Sequence, residues 1–168
     1  NESRVYKFMN KEVSNIKKLE EGMTLRVLEK YYTVVKYSKS FMDENYIYLK
    51  EITIKELYKV VSEKLLEYLK IRQKYYFDKM YFLKKEPSIL IKNVKTYYGQ
   101  YNKKYHHVTY NIGLVFVSLR CIDYIIVHEL SHIKEMNHST AFYNQMSKYN
   151  PTYKEDKKLL KKEWIKLC

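Results

Sequence analysis

VHELSHIKEMNHS, residues 127–139, sets three of the chain's five histidines within eleven positions. His128, Glu129 and His132 spell H-E-x-x-H. At 3.6 residues per turn, His128 and His132 fall about 40° apart on one helix face, one turn along. That separation lets two imidazole nitrogens reach one zinc ion at about 2.0–2.1 Å. Glu129 sits beside the first ligand, angled toward a metal-bound water rather than the metal. Ile122, Ile125, Ile126, Leu130 and Ile133 make the surround strongly apolar. Both histidines are therefore expected inside the fold, where a buried polar group needs a partner and a metal supplies one.

A catalytic zinc site keeps three protein ligands and one open position. His138 follows His132 by six residues, which on an unbroken helix would turn it about 240° away. The chain is expected to reverse between them. Asn137 tolerates the left-handed conformation that ends helices, and Ser139 or Asn137 can cap a next helix at 140–149. The spacing equals the metzincin H-E-x-x-H-x-x-G-x-x-H, but Glu135 holds the glycine position and no Met-turn follows.

Outward from this segment, Ser118 can cap a helix over 119–136, with Asp123 near its positive end. Two strands, 88–94 and 105–117, precede it, joined by a loop holding Tyr97, Tyr98 and Gly99. Before Pro87, apolar residues from Leu57 to Met80 keep helical spacing behind a Thr53-x-x-Glu56 capping box, which predicts a long helix at 53–83. The first fifty residues carry β-like runs at 23–28, 30–38 and 45–50, with turn residues at 40–45 suggesting a hairpin between the last two. Beyond Pro151, Thr152 and Glu155 repeat the capping box ahead of a helix ending near Lys166. The pattern is α+β with a small antiparallel or mixed sheet, and 168 residues without linker or repeat predict one domain over 1–168: a β-rich part at 1–50 and a helix, strands and motif core at 53–168.

No apolar run is long enough to span a bilayer. The start, NESRVYKFMN, lacks the apolar core of a secretory signal and an initiator Met. Cys121 and Cys168 form no CxxC pair, so a reducing cytoplasm is the expected compartment. The net charge of +13 invites a nucleic-acid or anionic-surface reading. Yet only Arg4, Arg26, Arg72 and Arg120 are arginines, and sequence readers lean on arginine forks. A chain rich in Lys, Tyr, Asn and Ile also follows from A/T-rich codons.

Over residues 87–166 the sequence resembles the YgjP-like metallopeptidases, compact zincins related to the SprT-like proteases, whose core reads V-V-H-E-L-x-H-x-x-x-x-N-H-S-x-x-F-W and then P-x-Y. Val127, His128, Glu129, Leu130 and His132 match, as do Asn137, His138, Ser139, Phe142, Pro151 and Tyr153. Upstream, Lys95, Gly99, Asn111 and Leu114 match the family's K-x-R-W-G-S-C and N-I-x-L-N-W-x-L segments. Tyr98 replaces the tryptophan before the glycine, the Ser-Cys after it is absent, and Tyr143 follows Phe142 in place of tryptophan. The resemblance implies a zincin-like fold, one Zn2+ at His128, His132 and His138, and Glu129 as general base.

The expected function is zinc-dependent peptide-bond hydrolysis through a metal-activated water, with peptide or protein as substrate and no membrane partner. The alternative is a basic nucleic-acid-associated protein, either a SprT-like protease or a non-catalytic zinc module. A zinc hydrolase acting on a non-peptide amide would use the same residues. Tyr97, Tyr98 and Asn111 flank the site as oxyanion candidates, and strand 105–112 offers an edge to an extended substrate. His106 and His107 are expected as polar residues facing opposite ways on that strand, and Cys121 as a small core residue.

Overall fold

The computed structural model describes residues 15–168; the first fourteen residues of the expected β-rich part lie outside them. Strands β1 (Ile16–Lys17), β2 (Thr24–Val27), β3 (Lys30–Lys36), β4 (Phe41–Met42) and β5 (Tyr46–Leu49) come first. Helix α1 (Ile54–Lys79) follows, then β6 (Ser88–Lys92), β7 (Gly99–Asn102), β8 (His107–Asn111) and a 3₁₀ turn at Ile112–Phe116. Helices α2 (Leu119–Lys134), α3 (Thr140–Tyr149) and α4 (Tyr153–Glu163) and strand β9 (Lys166–Leu167) complete an α+β fold. Among the described residues, no helix is long and apolar enough to cross a membrane.

The four-stranded sheet has the order β2-β3-β5-β4. The expected hairpin between the second and third β-like runs does not form: β3 and β5 pair in parallel. The turn residues instead fold β4 back against β5, with Asp43 Oδ1 accepting the Asn45 and Tyr46 amides at 2.9 and 2.8 Å. Between β2 and β3 the chain turns through Leu28 and Glu29, both left-handed at φ 49° and 68°. That conformation is costly for residues with a side chain. One result is that Glu29 Oε1 accepts the Leu119 N–H at 3.0 Å, at the start of α2. Glu29 therefore does the capping expected of Ser118, whose hydroxyl is held by Glu163 and by Arg26 at 2.7 Å.

Helix α1 buries Leu57, Val61, Leu65 and Leu69 along one stripe, the spacing that predicted it. Thr53 Oγ1 accepts the Glu56 amide at 3.2 Å. Glu56 does not close the box; its carboxylate takes the Ser40 hydroxyl at 2.8 Å instead. One turn beyond Leu69, fully buried Gln73 accepts from the Tyr110 hydroxyl at 2.7 Å and donates to the Pro87 carbonyl at 2.9 Å. A buried amide with both ends satisfied fixes the second sheet beneath α1.

That sheet has the order β6-β8-β7, with β6 parallel and β7 antiparallel to β8. The connection expected as a loop contains an edge strand, and the second expected strand stops at Asn111 because Asn111 caps the 3₁₀ turn. Helix α2 lies at the centre, buried from Ile122 through His132 except at Asp123, where Arg72 reaches it at 2.7 Å. A helix apolar on nearly all sides is one enclosed on nearly all sides. Helix α4 ends at Glu163, three residues short of expectation, because Lys166–Leu167 pairs in parallel with β1.

Candidate metal centre

Helix α2 stops at Glu135, whose backbone is extended (φ −123°, ψ 98°). The expected reversal occurs, though not through a left-handed Asn137: among the described residues, positive φ outside glycine is confined to Leu28, Glu29 and His106. Ser139 then caps α3, its Oγ accepting the Phe142 N–H at 3.3 Å. This places His138 beside the other two rings. Ring centroids stand 4.9 Å apart for His128–His132, 4.8 Å for His132–His138 and 5.3 Å for His128–His138. Phe142, fully buried, forms the floor, stacked on His132 at 4.5 Å and edge-on to the others.

One nitrogen of each ring lies within 4.8 Å of the others. Donors about 2.0–2.1 Å from a shared tetrahedral ion stand roughly 3.4 Å apart, a spacing that small imidazole rotations reach. The donor chemistry also fits. His132 Nδ1 lies 3.0 Å from the Glu135 carbonyl oxygen and must donate to it. His128 Nδ1 lies 2.7 Å from Glu129 Oε2 and donates likewise. Each contact fixes the tautomer with the lone pair on Nε2, the form a metal ligand needs. Three mostly buried imidazoles with two tautomers set from behind suit a divalent transition metal.

Glu129 is wholly buried. Its Oε2 meets His128, and its Oε1 accepts the Tyr101 N–H from β7 at 2.9 Å. That amide reaches the carboxylate because β7 presses on α2 at Gly99. A β-carbon there would stand 2.6 Å from Ile125 Cγ2 and 3.3 Å from Glu129 Cγ. The sheet edge beside the histidines is therefore β7. The expected edge, on the strand spanning 105–112, is not available, since β8 is paired on both sides.

The flanking candidates separate. Asn111 is occupied structurally: its amide donates to the Val94 and Tyr97 carbonyls at 2.8 and 3.0 Å, and its Oδ1 accepts the Gly113 amide at 2.9 Å. Tyr98 packs edge-on against Trp164 at 4.8 Å, and burial pushes its hydroxyl up to about 12. The Tyr97 hydroxyl is raised mainly by burial, against a hydrogen bond with Thr109 that lowers it and with the Glu129 charge adding a smaller rise. His107 begins β8, while His106 precedes it at φ 51° and bonds Tyr101 and the Lys85 carbonyl, both at 2.8 Å. Cys121 is buried in the core.

Sequence reasoning missed Tyr101, because its contribution is a backbone amide that no side-chain pattern advertises. It also missed a cavity of about 540 Å3 beside His128, walled by Tyr124, Tyr143 and Tyr153 and by lysines of α4. The helical spacing of those lysines was the available signal. A larger hollow of about 790 Å3, around Glu56 and Lys59, includes none of the three histidines, Glu129 or the tyrosines that flank them.

The model of a family described as YgjP-like, metallopeptidase domain, matches residues 3–163. No curated protein matches the chain. Among solved structures, the crystal structure of the metallopeptidase zymogen of Pyrococcus abyssi abylysin is similar at 25% identity over 60% of this chain and 92% of that one, with a TM-score of 0.44.

Proposed function

The chain belongs to the YgjP-like metallopeptidase domain family, and from that membership we propose that it hydrolyses peptide bonds with one zinc ion held by His128, His132 and His138 and with Glu129 as general base. The observation that carries this reading is the convergence of three imidazole nitrogens within 4.8 Å of one another, with a fully buried carboxylate joined to the first. When bound, zinc supplies Lewis acidity, bringing the pKa of a coordinated water toward about 7 and polarising a carbonyl.

The remaining work belongs to the chain. The Tyr101 amide and His128 Nδ1 hold the two Glu129 oxygens at 2.9 and 2.7 Å, so the carboxylate is aimed before substrate arrives. Glu129 accepts a proton from the attacking water and returns it to the departing amine, a transfer worth about 10²–10⁴ in rate. Strand β7, the edge nearest Glu129, is placed to pair with an extended substrate through the outward backbone groups that remain beside the Tyr101 amide held by Glu129. Phe142 beneath the rings and Ile125 beneath Gly99 keep the floor dry, which strengthens each charge interaction above it.

Glu129→Gln tests the assignment. The variant should retain one zinc per chain by elemental analysis of protein purified without a metal-capturing tag, and lose at least a hundredfold in turnover of an unfolded protein substrate. Unchanged cleavage would remove Glu129 from the reaction, and absence of metal in the parent would remove the zinc centre.

A further inference from the structure

We propose that the cavity beside His128 binds acidic peptide segments, so that the substrates cut here carry glutamate or aspartate close to the scissile bond. The proposal rests on the peptidase reading above and names its substrate class.

Lys154, Lys157, Lys158 and Lys161 recur at i, i+3, i+4 and i+7, which aligns them along one side of α4, and all four line the cavity. The acids of the same helix are committed elsewhere. Arg120 Nε lies 2.6 Å from Asp156, and Arg120 Nη2 lies 3.6 Å from Glu155. Glu163 is held by Ser118 and by Arg26 at 3.6 Å. Among the described residues, no ion pair joins Lys154, Lys157 or Lys158 to a carboxylate. The helix thus sorts its charges, acids toward arginines of the body and a row of lysine side chains along the cavity wall.

The floor between those lysines and the histidines is aromatic. Tyr124 meets His128 edge-on at 5.9 Å, Tyr143 lies over His138 at 6.2 Å and 30°, and Tyr153 stacks on Tyr143 at 5.8 Å and 25°. Tyrosine rings leading from two candidate ligands to the base of a lysine row suit a side chain with a short apolar stem and an anionic tip. The volume, about 540 Å3, is that of a small-ligand pocket. Lysines that track a nucleic-acid backbone line an open groove beside stacking platforms. Here they share one small pocket with His128 of the candidate metal centre and with buried Tyr124, which favours a side chain of the peptide being cut.

The test compares quenched-fluorescent peptides that differ only in Glu against Gln at the positions flanking the cleavage site. At low salt the zinc-loaded protein should prefer the Glu peptide by about tenfold in kcat/KM, the sum of several modest charge contacts, and the preference should shrink as salt rises. In Lys157→Glu/Lys158→Glu the Glu-to-Gln ratio should fall to one or below. Fluorescence anisotropy of the same peptides, labelled, on Glu129→Gln should give the same discrimination in Kd without turnover. Equal kcat/KM and equal Kd for the two peptides in protein that still cleaves them overturn the acidic preference and leave the hydrolase intact. Cleavage of neither peptide counts against the hydrolase, while the anisotropy still decides the cavity. If a single-stranded DNA oligonucleotide displaces the Glu peptide at lower concentration than the unlabelled peptide does, the lysine row serves nucleic acid and the proposal falls.

Discussion

Replacing Gly99 by alanine tests how closely the edge strand is built onto the motif helix. The added carbon would stand 2.6 Å from Ile125 Cγ2, about 0.8 Å short of ordinary contact. Ile125 is fully buried and cannot swing aside, so β7 must retreat. Overpacking of this kind costs about 1–3 kcal/mol, which for a chain of this size lowers Tm by roughly 2–12 °C. The same retreat stretches the 2.9 Å bond from Tyr101 N–H to Glu129 past hydrogen-bonding range. A displacement near 1 Å at a catalytic carboxylate costs on the order of 10²-fold in rate. Thermal unfolding by circular dichroism and kcat on a fluorogenic peptide, both with zinc present, read the two effects separately. Gly113→Ala is the control. Its β-carbon would strike Trp164 Cη2 at 2.5 Å and Cζ2 at 2.8 Å, so it should lower Tm comparably while keeping kcat well below the melting temperature. A Gly99→Ala protein that melts with the parent and turns over normally refutes the close approach. Equal kcat losses in both variants would trace the effect to general loosening.

Zinc at a hundredfold excess over its Kd should stabilise the protein by about 2.7 kcal/mol, and His138→Ala should abolish that upward shift in Tm; an undiminished shift would place the ion elsewhere. Phe142→Ala removes the ring stacked on His132 and should cost about 3–5 kcal/mol together with weaker zinc binding by titration, whereas unchanged affinity would mean that the ring positions nothing. Burial pushes the Cys121 thiol up to about 12, so it stays protonated and unreactive until strongly alkaline pH. At pH 8 a thiol reagent should therefore count one accessible group, Cys168, in native protein and two after unfolding; two in the native state would contradict the packing around Cys121.

The parts legible in the sequence are those governed by period and spacing. The stripe from Leu57 to Leu69 specified α1, and the step of six positions from His132 to His138 required a reversal before α3 began at Thr140. Caps proved less legible, because Ser118 and Glu56 found partners far along the chain and Thr152 found one within the first turn of its own helix. Thr152 Oγ1 donates to Asp156 at 3.0 Å rather than capping α4. Strand direction was misread for the same kind of reason. Turn residues at 40–45 announce a reversal but not which strand is reversed, and β3 lies parallel to β5 because β4 takes the antiparallel place. At the centre, side-chain chemistry brought out the histidines and Glu129, while the Tyr101 amide, supplied by any residue in that register, left no trace.

The pairing of β1 with β9 sets Ile16 beside Lys166, so nearly all the described chain lies inside one loop. Closing a loop of that length costs about 4 kcal/mol in chain entropy. Two strands of two residues, joined through the Lys166, Cys168 and Leu19 amides, cannot repay that by themselves. The clasp must close late, on a body already assembled, and should open first when folding reverses. Deuterium uptake at the Lys166 and Cys168 amides would then time the last event of maturation, ahead of any global unfolding.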